Sequence, residues 1–145
     1  MHTRRTAVGL ALLVAGSVLF GGSAGCGGAP TRLITVKSGS GQGPIQLEVK
    51  NLTDVAINNL FLAKSDRVGP ELDPDSPEGQ NVWGVDLLQN AIARGDRVPV
   101  PVAEPGRWEA RVLDRDRRYQ HVAGLKLEAG GRYILELNEG GWRTK

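Results

Sequence analysis

Apolar and polar residues alternate one for one through much of this chain. Leu33, Thr35 and Lys37 fall opposite Arg32, Ile34 and Val36, while Ile45, Leu47 and Val49 fall opposite Gln46, Glu48 and Lys50. A period of two is that of a half-buried strand, because successive side chains leave a pleated backbone on opposite faces. Between these runs, Ser38-Gly39-Ser40-Gly41-Gln42-Gly43-Pro44 carries turn-forming residues throughout. A third strand is predicted from Val55 to Lys64, with Asn58-Asn59 breaking the alternation as a bulge would. Val98, Val100 and Val102 alternate with Pro99 and Pro101, and prolines at that density restrict the segment to a sheet edge. Trp108, Ala110 and Val112 oppose Glu109, Arg111 and Leu113. The turn Asp114-Arg115-Asp116-Arg117 then leads into Tyr119 to Leu127, and Ala129-Gly130-Gly131 into Tyr133, Leu135 and Leu137.

Six or seven short strands separated by turns predict an all-β domain, an antiparallel immunoglobulin-like β-sandwich. One short helical turn is predicted in Val85 to Ala93, where Val85, Leu88 and Ile92 share a face before Gly95. The stretch Asp66 to Gln80 contains Gly69-Pro70, Asp73-Pro74-Asp75 and Ser76-Pro77-Glu78-Gly79 and reads as a long irregular loop. Its removal is expected to leave the fold intact.

The first 25 residues follow a different pattern. Arg4-Arg5 precedes an apolar run from Ala7 to Phe20, and small residues lead to Cys26, the single cysteine of the chain. This is the order of a secretory signal, and a run of about 14 residues is short of the roughly 20 that a spanning helix needs. Residues 1–25 are therefore read as a signal peptide, 26–30 as a flexible tether and 31–145 as one domain. Removal of Arg4 and Arg5 takes the basic residues from 18 to 16, equal to the 16 acidic ones. A nucleic-acid footprint needs a clustered positive excess, so no nucleic-acid partner is expected.

Candidate chemistry is sparse. His2 departs with the leader, which leaves His121, predicted mid-strand, as the one histidine available as a catalytic base. Zinc would lack its usual ligands. Asp73, Asp75 and Glu78 supply the hard oxygens that calcium prefers, but without EF-hand spacing, and they are read as a solvated acidic loop. Asp114 and Asp116 lie beside arginines, which keep them ionised. Asn51-Leu52-Thr53 matches a glycosylation sequon and is read as a turn. No cofactor, metal or catalytic residue is assigned.

Two resemblances complete the reading. Ser23-Ala24-Gly25-Cys26 resembles the lipobox of bacterial lipoproteins, in which the cysteine is diacylated and becomes the first mature residue; plain secretory cleavage nearby is the alternative. The resemblance implies a lipid anchor at Cys26 and a place in the bacterial cell envelope, facing outside the cytoplasm. Trp83-Gly84-Val85-Asp86-Leu87-Leu88, with Ala93-Arg94-Gly95-Asp96, Val49 to Thr53, Ile57 to Leu62 and Trp108 to Asp114, resembles a group of small exported bacterial β-sandwich proteins of unknown function. That likeness implies a fold and supplies no activity.

The expected function is a non-catalytic binding or scaffolding module that meets an envelope protein partner through exposed loops and an edge strand. In size, anchor and class it is similar to the β-sandwich lipoprotein of type VI secretion systems. The alternative is an envelope enzyme or carbohydrate-binding domain with ligand contacts near Trp83 and Asp86. Trp83, Leu87 and Leu88 would otherwise plug one end of the sandwich, with Asp86 capping backbone amides.

Overall fold

The computed structural model describes residues 28–69 and 72–144. Seven strands form: β1 (Arg32–Lys37), β2 (Gln46–Asn51), β3 (Asn59–Lys64), β4 (Arg97–Val100), β5 (Gly106–Leu113), β6 (Tyr119–Leu127) and β7 (Arg132–Leu137). One helix, α1 (Pro77–Trp83), lies between β3 and β4, and a 3-10 turn (Glu139–Gly141) follows β7. The strands divide into a four-stranded sheet in the order β1-β7-β2-β4 and a three-stranded sheet in the order β3-β5-β6. Leu47, Val49, Tyr133, Leu135 and Leu137 of the first sheet share one buried cluster with Leu60, Ala110, Val112, Leu125 and Leu127 of the second. The architecture is therefore all-β and sandwich-like, with the alternating apolar residues of both sheets turned inward.

Pairing is antiparallel except at one place, where β2 and β7 run parallel from Gln46↔Arg132 to Asn51↔Leu137. A wholly antiparallel sandwich does not describe this sheet. Two strands distant in sequence can meet in either direction, and periodicity carries no information about which. β3 begins at Asn59, later than Val55. Before it, Ile57 exchanges backbone hydrogen bonds with Ile92, at 3.0 and 2.9 Å. β4 is an edge strand, as its prolines require.

The helix is not where the sequence placed it. Residues 85–93 contain no helical turn: Val85 is 78% exposed, and Ile92 is buried in the bridge to Ile57. Instead α1 grows out of the segment read as irregular. Ser76 is its N-cap, accepting a hydrogen bond from Gly79 N at 2.9 Å, and Pro77 stands at the first helical position. A proline there loses nothing, since its missing N–H would have had no partner inside the helix.

The hairpin from β5 to β6 closes at Asp114–Arg118. Asp114 N donates to Arg118 O, and Arg117 takes a left-handed backbone with φ of 64°. Of the segment read as a tether, 26–30, residues 28–30 are described. Ala29 O accepts from Gly140 N and Pro30 O from Asn138 Nδ2, both at 3.0 Å, and Thr31 Oγ1 accepts from Asn138 N at 3.0 Å. Residues 29–31 are thus fastened to the segment that follows β7. The segment read as a signal peptide, 1–25, and Cys26 lie outside the described residues. Among the described residues, no helix is long and apolar enough to cross a membrane.

Candidate functional site

Alternation along the three-stranded sheet turns Phe61 and Ala63 of β3, Glu109, Arg111 and Leu113 of β5, and Tyr119 and His121 of β6 away from the shared core. This outer face is not open. The segment after β3 crosses it, and α1 brings Trp83 down against His121, with ring centres 5.6 Å apart in an edge-on arrangement. Trp83 is 2% exposed, and its indole N–H donates to Leu72 O at 2.9 Å.

Beneath this cover, polar groups pair across the strands. His121 Nε2 lies 2.5 Å from Glu109 Oε2. Arg111 is 4% exposed and stacks its guanidinium 4.0 Å from the centre of the Tyr119 ring. Burial draws the Arg111 guanidinium below the usual arginine value, while the charges of Asp73 and Tyr119 act in the opposite direction.

The predicted contact residues, Trp83 and Asp86, are structural in their geometry. Asp86 Oδ1 accepts from Leu60 N at 2.9 Å and Leu88 N at 3.0 Å, and its Oδ2 accepts from Asn59 Nδ2 at 2.7 Å. These bonds tie residues 86–88 to the start of β3. The indole of Trp83 is thus buried and both oxygens of Asp86 are engaged by hydrogen bonds within the fold. Asp86, Asp114 and His121 each bond to a different set of partners. Asp114 is spent on Arg118, with its Oδ1 accepting from the backbone N–H at 2.9 Å and its Oδ2 from Nε at 2.7 Å.

Two of the three carboxylates weighed for calcium face arginines. Asp75 forms an ion pair with Arg117, the charge of Asp73 acts on Arg111, and Glu78 lies in the first turn of α1. Among the described residues, no group of three or more His, Cys, Asp or Glu side chains is placed to hold a metal ion.

Asn51 of the sequon is fully buried. Its Nδ2 donates to Val55 O at 2.7 Å and Ile92 O at 2.8 Å, and its Oδ1 accepts from Thr53 N at 2.9 Å. This is an Asx turn that also clasps the Ile57–Ile92 bridge.

The sheet edges differ in what they present. Gln46 N donates to Gly131 O, so the odd-numbered residues at the start of β7 turn their backbone groups toward β2. Arg132, Ile134 and Glu136 then turn theirs toward β1, where Arg32 and Ile34 are the register partners of Glu136 and Ile134. Leu33 and Thr35 consequently point their N–H and C=O groups out of the sheet, and no turn or loop of the described residues bonds to them. On the opposite edge, Asn51 N donates to Asp96 O. The same alternation puts Pro99 outermost on β4, with Pro101 just beyond, and neither has an N–H to offer.

Sequence reading missed the Glu109–His121 pair, the covered Arg111 and the open β1 edge. The first two had a signal in the shared outer face of residues 109, 111 and 121, but nothing in the alternation said that this face would be covered. In comparisons with known proteins, the chain matches no family model, no curated protein and no solved structure.

Proposed function

We propose that this chain is a lipid-anchored lipoprotein of the bacterial cell envelope, facing outside the cytoplasm, that works as a non-catalytic binding or scaffolding module. An immunoglobulin-like arrangement is part of this proposal, supported by seven strands divided four and three around one core. The observation that carries the binding role is the contrast between the two edges of the four-stranded sheet. β4 is closed to strand addition by Pro99, whereas β1 offers the backbone groups of Leu33 and Thr35 to an extended segment of a partner protein. Trp83 and Asp86 are engaged inside the fold, so the reading of an enzyme or sugar-binding site at those residues gains no support.

The test is Thr35→Pro. Because Thr35 faces away from β7, the substitution removes a donor from the free edge without removing a bond of the sheet. Crosslinking in cells is expected to capture a defined envelope protein with the wild type and to lose it with Thr35→Pro, the unfolding midpoint being retained. Recovery of no partner, or equal capture by a folded Thr35→Pro chain, overturns the proposal.

A further inference from the structure

At the end of the sandwich away from Gly28, the register of β5 and β6 sets Arg107 directly opposite Lys126. Side chains so placed stand about 5 Å apart, a spacing at which opposite charges attract and like charges destabilise the pair. The neighbouring acids relieve this only in part. Lys126 Nζ meets Glu128 Oε1 at 3.3 Å, with both side chains open to solvent and the pair accordingly weak. Arg107 makes no ion pair or side-chain hydrogen bond among the described residues. Glu104 is taken by Lys64, whose Nζ lies 3.1 Å from it and also donates to Pro105 O.

The two cations line a cleft of about 490 Å³, shared by the β1–β2 loop, the entry to β5 and the turn after β6. That is the size of a small-molecule site. Gly39 and Gly41 form one wall, while Pro105 and Ala129 give it apolar surface. A side chain at Gly39 would bring a Cβ to 2.4 Å from the Cβ of Glu128, so glycine is what lets this loop close on the β6–β7 turn. The cleft thus combines an apolar surface, a close backbone wall and two adjacent cations that lack enough counter-charge.

We propose that this cleft binds a small organic carboxylate, its anionic head between Arg107 and Lys126 and its apolar body against Pro105 and Ala129. The site goes beyond the strand-edge reading and does not depend on it, since β1 contributes none of these groups. The probe is N-acetyl-leucine, titrated into the full chain in a neutral detergent and followed by backbone amide shifts in NMR. Saturable shifts are expected at Gly39, Gly41, Gly106 and Leu127, with at least tenfold weaker binding of N-acetyl-leucinamide, which lacks the charge, and of inorganic phosphate, which lacks the apolar body. A chain carrying both Arg107→Gln and Lys126→Gln is expected to bind N-acetyl-leucine at least tenfold more weakly.

A pentapeptide ending in a free leucine identifies the source of the carboxylate. Tighter binding than N-acetyl-leucine assigns it to a peptide terminus, and equal or weaker binding to a free organic acid. Absence of saturation at millimolar probe, or equal binding of acid and amide, overturns the proposal. The comparison of acid with amide needs no variant, so it stands even if the doubly substituted chain fails to fold.

Discussion

At the residue scale, several positions that look interchangeable in sequence are fixed by close contacts. Gly79 sits in the first turn of α1, where a glycine is ordinarily about 1 kcal/mol worse than alanine. Here an added Cβ would fall 1.6 Å from Asp73 O, because the segment before the helix folds back against it. Gly79→Ala is therefore expected to destabilise the protein by about 1–3 kcal/mol, as overpacking does, and urea unfolding reads this directly. A gain in stability would show that residues 73–79 do not fold back in this way. Asn51 illustrates the same lesson. It was legible as a turn residue, but its second task, holding Ile92 O from a distant part of the chain, was not.

At the element scale, the segment from Asp66 to Gln80 changes character. Its prolines suggested a loop, yet Ser76 and Pro77 are the two residue types best suited to begin a helix, and that local signal was present in the sequence. What was absent was any sign that the helix would cover the outer face of the three-stranded sheet. The segment supplies Leu72 O to the Trp83 indole, the charge of Asp73 beside Arg111 and the Asp75–Arg117 ion pair. Replacing residues 66–80 by a glycine-serine linker is accordingly expected to cost about 3 kcal/mol or more, since burial of one large apolar side chain alone contributes about 1.5–3 kcal/mol. Tryptophan emission should shift to the red as Trp83 meets water. An unchanged unfolding midpoint would mean that the cover contributes no stability.

At the scale of the whole molecule, the attachment of Gly28–Thr31 bears on how an anchored domain would stand. Gly28 is two residues from Cys26, a reach of at most about 7 Å. With a lipid at Cys26, the end that carries the 3-10 turn would lie close to the bilayer. The Arg107–Lys126 cleft would then open roughly 20 Å further out, the length of a six-residue strand. Metabolic labelling with a fatty acid should mark the wild type and not Cys26→Ala. Labelling of neither chain, or of both equally, would remove the anchor from the proposal.

The sequence by itself determined the strands, their inward faces and most of their turns, because a period of two and a cluster of turn residues are local properties of the backbone. It also gave the edge position of β4, since a proline's missing N–H is local too. Only the tertiary structure decided that β2 and β7 run parallel, that Asp73 and Trp83 come to lie by Arg111 and His121, and that Arg107 meets Lys126. Each of these joins residues far apart in the chain, and alternation says which way a side chain points without saying what stands there to meet it.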